Sequence, residues 1–187
     1  MILFKLNLEK PFIIKYRNKI FITYSYFNHI LNMLFNIFPP IIRSLSLKLI
    51  LGKFGTDSQI DYGSYIRYPR KIQIGKKVEI NRGFQVYPSL LSRSSKIVIE
   101  DEVVIGPNVC LYGAGQKIHN GILKDVYGDI IIRKGAYIGA NCVIRYGTEI
   151  GAFSVVGAGS VVVKNIDAHS WVAGNPARPI KKFKYLT

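Results

Sequence analysis

Aliphatic residues spaced six positions apart form four sets between residues 60 and 162, and this repeat constrains the fold more than any other feature of the sequence. In the stretch YIGANCVIRYGTEIGAFSVVGAGSVV, the repeated positions are Ile138, Ile144, Ile150, Val156 and Val162. The same interval separates the members of earlier sets, which are Ile60, Ile66 and Ile72; Ile74, Ile80 and Val86; and Ile99, Ile105 and Leu111. Neither the helical period nor the strand period gives a six-residue interval. Repetition at a fixed period indicates a solenoid.

Six residues have room for a short extended segment and a tight bend, so three units can close one triangular coil. The repeated aliphatic residues then point to the axis, and stacked coils pair as parallel strands around an apolar column. Glycines that directly follow the inward residue allow bends where a Cβ atom would crowd: Gly75, Gly106, Gly139, Gly151 and Gly157. The pattern predicts an all-β parallel β-helix, interrupted at residues 87–96 and by a long loop at residues 112–131.

The charge balance favours anionic partners. The chain has 26 Lys and Arg residues against 11 Asp and Glu residues, for a formal net charge of +15. Such an excess suits phosphorylated cofactors, acidic lipids or acidic glycans. The sequence has no helix-turn-helix, zinc-finger or RNA-binding signature, so we expect no nucleic-acid partner.

The two cysteines and the absence of common catalytic motifs exclude several other classes. Cys110 and Cys142 lie inside repeat units without metal-ligand spacing, and we expect them to be free buried thiols in a reducing compartment. No metal site is predicted, because the repeat core contains only His119 among the histidines. No G-x-S-x-G, P-loop or dinucleotide fingerprint is present.

The N-terminal segment contains a long stretch without charge. Residues 20–42 have no Lys, Arg, Asp or Glu, and the cations Lys10, Lys15, Arg17 and Lys19 precede them. The polar residues recur every three or four positions and form one stripe on a helix: Ser25, Asn28, His29, Asn32 and Asn36. This predicts an amphipathic helix that packs on the domain, on a neighbouring subunit or on a membrane face. A membrane span is the alternative, and a cleaved signal peptide is not expected.

The stretches IGANCVIRYGTEIGAFSVVGAGSVVVKNI and VAGNPARPIKKF resemble the closing coils and C-terminal signature of the hexapeptide-repeat acyltransferases. The resemblance covers about residues 52–184 and is strongest to the branch that O-acetylates sugars and surface polysaccharides, which includes the galactoside and maltose acetyltransferases. It implies a left-handed parallel β-helix, a homotrimer, and acetyl-CoA bound in the groove between adjacent subunits. We therefore divide the chain into an N-terminal basic and aromatic helical region (1–51), the β-helix domain (52–168) and a C-terminal basic segment (169–187).

Acetyl transfer to a hydroxyl needs a base, and a histidine near neutral pKa suits that task. The resemblance implies that the loop at residues 112–131 carries the base to a neighbouring subunit, which assigns it to His119. Aligned without gaps, however, the family's histidine falls on Gln116, three residues earlier. Asn81 matches a position that helps hold the acceptor, although an asparagine there would equally support a coil corner. Asp125 or Asp129 could orient the base.

The family's cofactor positions map onto two parts of this chain. The resemblance implies that small residues along the coil edge border the pantetheine arm beside an aromatic ring, and that cations meet the acetyl-CoA phosphates. The edge residues are Tyr137, Gly139, Ala140, Ala158 and Gly159. The cations are Lys164, which is retained in the closing coil, and Arg178 and Lys181 in the tail. A tight coil would require the same small residues without any ligand.

These features together predict a cytoplasmic acetyl-CoA-dependent O-acetyltransferase, either free or associated with the inner face of the cell membrane. The expected acceptor is a sugar hydroxyl of a bacterial surface polysaccharide, namely a capsule, an O-antigen or a lipid-linked precursor. His119 would assist direct attack on the thioester. The alternatives are a non-catalytic β-helix that is structural or binds glycans and, among enzymes, an antibiotic or serine O-acetyltransferase.

Overall fold

The computed structural model describes residues 11–92 and 94–183, with side chains from residue 19 onward. Two helices, α1 (Pro11–Ile37) and α2 (Pro40–Ile50), precede a series of short strands. Pro39 and Pro40 separate the helices, since proline starts a helix well but cannot continue one. Residues 1–10 of the predicted helical region and residues 184–187 of the predicted C-terminal segment lie outside the described part.

The strands follow one another as coils of three. They are β1 (Lys53–Phe54), β2 (Gln59–Ile60) and β3 (Tyr65–Ile66); β4 (Ile72–Ile74), β5 (Glu79–Ile80) and β6 (Gln85–Tyr87); β7 (Ile97–Ile99), β8 (Val104–Ile105) and β9 (Cys110–Tyr112); β12 (Ile130–Ile132), β13 (Tyr137–Ile138) and β14 (Val143–Arg145); and β15 (Thr148–Ile150), β16 (Val155–Val156) and β17 (Val161–Val162). A 3₁₀ turn, Pro69–Lys71, joins the first two coils.

Corresponding strands of successive coils pair in parallel and form the three walls of a triangular column. We call these walls sheet A (β1, β4, β7, β12 and β15), sheet B (β2, β5, β8, β13 and β16) and sheet C (β3, β6, β9, β14 and β17). The register keeps the repeated aliphatic residues opposite one another, so that Ile138 pairs with both Ile105 and Val156. The parallel β-helix predicted from the repeat is confirmed.

The repeated aliphatic residues fill the axis of this column. Every aliphatic position of the six-residue repeat is buried, and a second set of buried side chains lies at the bends: Val78, Phe84, Val103, Val109, Ala136 and Cys142. Burial of a branched aliphatic side chain contributes about 1.5–3 kcal/mol. The stacked coils therefore stabilise one another mainly through this shared core.

Gly139 shows why the bends need glycine. A Cβ atom at this position would lie 2.5 Å from the backbone nitrogen of Ala158 in the next coil. The backbone N–H of Gly139 also donates to the carbonyl oxygen of Val156 over 2.8 Å. The coil spacing thus leaves no room for a side chain at residue 139.

The segment predicted as a loop at residues 112–131 forms a β-hairpin. Its strands, β10 (Ala114–His119) and β11 (Ile122–Tyr127), pair antiparallel between β9 of sheet C and β12 of sheet A. Asn120 and Gly121 both have positive φ at its tip, as a two-residue hairpin turn requires. The hairpin leaves the column at the edge between sheets C and A.

The C-terminal end adds two strands to sheet B. β18 (Ser170–Ala173) continues the parallel pairing beyond β16, and β19 (Arg178–Lys182) returns antiparallel along it. The last parallel strand therefore lies within the segment that the sequence assigned to the C-terminal tail.

Helices α1 and α2 cover the first coil. Leu47 and Leu51 enter the hydrophobic core, and Arg43 is buried with its guanidinium bonded to the carbonyl oxygens of Phe35, Ile60 and Asp61. Within the part of the chain that the structure describes, neither helix has the length and hydropathy needed to cross a bilayer.

Candidate active site

The bends between sheets B and C stack into one continuous edge, which we call the B–C edge and define as residues 81–83, 106–109, 139–142 and 157–160. Backbone bonds join its levels: Asn108 donates to Arg82, Asn141 to Pro107, and Gly159 to Ala140, over 2.9, 2.8 and 2.8 Å. The predicted residues Asn81, Gly139, Ala140, Ala158 and Gly159 all lie on this edge. Positions far apart in the sequence thus meet along one line of the column.

Ala140, Ala158 and Gly159 make part of the B–C edge a shallow shelf. Ala158 and Gly159 are exposed, and a Cβ atom at Gly159 would have nothing within 4 Å. Among residues 94–183, the backbone N–H groups of Ala140 and Ala158 have no backbone acceptor. An extended chain that carries amide groups, such as a pantetheine arm, fits this combination of small side chains and available donors.

Tyr137 flanks the shelf on the outer face of sheet B. Its neighbours in register are Val104 and Val155, and 47% of its surface is exposed. An apolar arm lying on the shelf could therefore pack against the Tyr137 ring, the role that an aromatic residue is predicted to have here.

Asn81 lies at the opposite end of the B–C edge and supports the bend after β5. Its side-chain Nδ2 donates to the carbonyl oxygen of Ile105 over 2.9 Å, and its backbone N–H donates to the same oxygen. The corner role suggested by the sequence is thus present. The part of Asn81 in binding an acceptor stays a prediction.

The cationic residues predicted to meet phosphates lie beyond the last coil. Arg178 begins β19 and is exposed, and the exposed Lys164 follows β17. The Lys181 Nζ lies 5.0 Å from the ring centre of Trp171 and 5.6 Å from that of Phe183. Lys182 is instead paired with Asp167 over 2.9 Å. Arg178 and Lys181 are therefore better placed than Lys182 to hold a phosphate.

Trp171 is a feature of this region that the sequence interpretation missed. It lies beside Val155 in sheet B, and its indole Nε1 is buried without a hydrogen-bond partner among the described residues. A buried indole N–H usually has a partner. The signal available in the sequence was that Trp171 is the only tryptophan and directly precedes VAGNPAR.

His119 lies on a different edge of the column. It ends β10 beside the hairpin tip and is exposed. Gln116, the position that a gap-free alignment favours, bonds to Asp125 across the hairpin over 3.2 Å, and Asp129 accepts a bond from the backbone N–H of Lys96 over 2.8 Å. Neither carboxylate is bonded to His119, and within one chain the hairpin and the B–C edge are separate.

The other two histidines are elsewhere. His169 lies between sheets A and B, and its ring stacks on Phe153 with a centroid distance of 5.4 Å. His29 is exposed on α1. Both therefore lie away from the B–C edge and from the hairpin that carries His119.

Cys142 lies on the B–C edge but is poorly suited to act as a nucleophile. The side chain is fully buried, and its Sγ donates to the carbonyl oxygen of Gly157 over 3.1 Å. Burial also raises the pKa of the Cys142 thiol, so the reactive thiolate is disfavoured. Cys142 is therefore disfavoured as the carrier of an acyl-cysteine intermediate.

A triangular parallel β-helix with a small-residue edge and a terminal cationic strand fits the class of hexapeptide-repeat acyltransferases. The family described as "Bacterial transferase hexapeptide (six repeats)" matches residues 129–164. The chain is 31% identical over 143 residues to galactoside O-acetyltransferase of Escherichia coli K12, covering 75% of this chain and 68% of that protein. The chain belongs to the hexapeptide-repeat acyltransferase family, and it is an acetyl-CoA-dependent acyltransferase.

Solved structures show the same relationship. A hexapeptide-repeat acetyltransferase from Vibrio cholerae, complexed with acetyl-CoA, is 26% identical with a TM-score of 0.77, covering 87% of this chain and 88% of that one. A maltose O-acetyltransferase from Clostridium difficile 630 is 26% identical with a TM-score of 0.71, covering 95% and 91%. The left-handed parallel β-helix and the enzyme class predicted from the sequence are confirmed.

Proposed function

We propose that the chain transfers an acetyl group from acetyl-CoA to a sugar hydroxyl of a bacterial surface polysaccharide or its lipid-linked precursor. The observation that carries this proposal is the B–C edge, where an open small-residue shelf leads to the cations of β19. The similarity to a galactoside and a maltose O-acetyltransferase supports a sugar hydroxyl as the acceptor. The excess of positive charge favours an acidic glycan over a neutral one.

The edge residues bind and orient the donor. The Ala140 and Ala158 N–H groups face the pantetheine amides, Tyr137 packs against the arm, and Arg178 and Lys181 pair with phosphate oxygens. Lys164 follows β17 and lies between sheets C and A, so it would add positive charge from the neighbouring subunit, as His119 does. This arrangement fixes the thioester at the level of the middle coils, toward Asn81.

His119 acts as the general base. It accepts the proton of the sugar hydroxyl as the hydroxyl oxygen forms a bond to the thioester carbonyl carbon. Backbone N–H groups stabilise the negative charge on the carbonyl oxygen. The carbon–sulfur bond then breaks, and the departing thiolate receives the proton from His119. The products are the acetylated sugar and free CoA thiol, and no covalent enzyme intermediate forms.

The site is completed between subunits of a homotrimer. Because the hairpin and the B–C edge of one chain occupy different edges, we place His119 of one subunit beside the B–C edge of its neighbour. A closed cyclic trimer repeats this contact three times. The exposed side chains Ile118, Ile122 and Leu123 give the hairpin an apolar surface for such a contact.

The test combines donor turnover with acceptor identification. Surface glycan from cells that contain the wild-type protein should carry an acetyl group that is absent when the chain is replaced by His119→Ala, as measured by mass spectrometry. Purified His119→Ala should lose activity by about a hundredfold or more. His29→Gln, at another exposed histidine, is the matched control and should keep it.

An acetyl-CoA titration and assays with other acceptors separate the alternatives. A non-catalytic or glycan-binding β-helix would not bind acetyl-CoA, so a titration without binding would overturn the enzyme assignment. Acetylation of serine or an antibiotic, with the glycan unchanged, would overturn the proposal that a polysaccharide sugar is the acceptor. Activity of His119→Ala within severalfold of wild type would overturn the assignment of His119 as the general base.

A further inference from the structure

Helix α1 is oriented with its polar side inward. Asn28 and Asn32 are buried, and both donate through Nδ2 to the carbonyl oxygen of Ile66 over 3.2 and 3.1 Å. Asn32 Oδ1 accepts the Ile66 N–H over 2.8 Å, and Asn36 Oδ1 accepts the Gly63 N–H over 2.8 Å. The asparagine stripe thus fixes the helix against the open side of the first coil.

The opposite side of the helices is apolar and exposed. On α1 the exposed residues recur every three or four positions, and a second stripe follows on α2 after the two prolines. We call these residues the helical face: Ile22, Tyr26, Ile30, Met33 and Ile37 on α1, and Ile41, Leu45 and Leu49 on α2. The exposed fractions reach 73% at Ile37, 77% at Ile41 and 74% at Leu49. An exposed apolar surface of this extent marks an interaction site.

The charge around this surface indicates what covers it. Residues 10–56 contain no Asp or Glu, and their cations are Lys10, Lys15, Arg17, Lys19, Arg43, Lys48 and Lys53. Lys19, Lys48 and Lys53 are exposed, whereas Arg43 is buried and its guanidinium is bonded to backbone carbonyl oxygens. Two copies joined through this face would bring like charges together, while an anionic surface would be attracted.

We propose that the helical face docks on an anionic phospholipid bilayer, with the apolar side chains entering the headgroup region and the lysines meeting lipid phosphates. Amphipathic helices with exposed apolar residues and flanking cations bind interfaces in this way. The membrane would be the cytoplasmic leaflet, because the anionic lipids and the acetyl-CoA pool are both on that side. This docking goes beyond the proposed catalysis and does not depend on it.

Vesicle flotation tests the proposal with the full chain. The protein should float with vesicles of 70% phosphatidylcholine and 30% phosphatidylglycerol, and not with vesicles of phosphatidylcholine alone. Added salt should weaken the association, because it screens the charge attraction. A failure to float with the anionic vesicles would overturn the proposal.

A pair of variants isolates the helical face. Ile37→Gln/Ile41→Gln should reduce binding by about tenfold or more, since it removes apolar contact without changing charge. Leu90→Gln/Leu91→Gln, at two exposed leucines outside the helices, is the matched control and should float like wild type. Circular dichroism checks that both variants are folded.

Two results with the helical variant would overturn the assignment. Flotation equal to wild type would show that the face does not contact lipid. A smaller assembly mass in size-exclusion chromatography would show that the face joins copies of the chain. Because flotation requires no turnover, these results are independent of whether the acetyltransferase proposal holds.

Discussion

His119 and Asn81 lie on different edges of the same triangular column. His119 ends the first strand of a hairpin between sheets C and A, whereas Asn81 begins a bend between sheets B and C. One chain therefore carries both parts of the proposed site, and in the proposed trimer it would present them to different neighbours. The arrangement makes the sharing of a site between subunits testable.

Two inactive variants should restore activity when they assemble together. His119→Ala removes the base, and Ala158→Trp fills the exposed shelf of the B–C edge. Each alone should lose about a hundredfold or more in turnover. Random mixed trimers should recover about a quarter of wild-type activity, because that share of sites combines an intact hairpin with an intact edge. Activity that stays near zero in co-expressed, co-purified assemblies would contradict a shared site.

Removing the terminal cations should weaken donor binding without slowing the chemical step. Arg178→Gln or Lys181→Gln should raise KM for acetyl-CoA about tenfold and leave kcat within about threefold, as expected when a charged contact is made equally in the ground state and the transition state. Steady-state kinetics measure both values. Lys182→Gln is the matched control, since Lys182 pairs with Asp167. An equal effect at all three positions would indicate a general charge effect.

Cys142 should be unreactive in the folded protein. Burial raises the pKa of its thiol, so at a given pH a smaller fraction is thiolate than in a free cysteine. Alkylation by iodoacetamide at pH 8, followed by mass spectrometry, should be at least about tenfold slower at Cys142 in the native state than after denaturation. Cys142→Ala should retain turnover within about threefold. Loss of turnover in a folded Cys142→Ala protein would instead favour a covalent role.

Asn32 should be important for stability although it is polar. Asn32→Leu would leave the buried N–H of Ile66 without its acceptor and the C=O of Ile66 with Asn28 as its remaining donor, and we expect it to lower the free energy of unfolding by about 1–3 kcal/mol. Guanidinium denaturation measures the change. The adjacent exposed Met33→Gln should alter it by about 0.5 kcal/mol or less. A similar effect at both positions would contradict the inward orientation of the asparagine stripe.

The sequence was sufficient to predict the column because its period maps directly onto the geometry. Each repeated aliphatic residue, such as Ile105 or Ile138, occupies the same place in every coil. The small residues of the B–C edge were assigned from the family resemblance, and the period explains why they stack above one another in the column.

Other features could not be derived from the period. The interruption that contains His119 has no six-residue repeat, and its hairpin was missed although Asn120-Gly121 is a strong turn signal. The stripe on α1 was visible in the sequence, but periodicity identifies the faces of a helix without showing which one is buried. The burial of Asn32 results from the backbone groups of Ile66 opposite it, a tertiary relationship.

The two bonds between Asn32 and Ile66 also cover the first edge of sheet C. A parallel β-helix ends in strands whose N–H and C=O groups can accept another molecule, as in fibre growth. Asn32 supplies one acceptor and one donor to Ile66, as the backbone of a further coil would. Its side chain thereby imitates a strand and ends the stacking. Helix α1 therefore occupies the free edge of β3 in sheet C, where a further coil would otherwise pair.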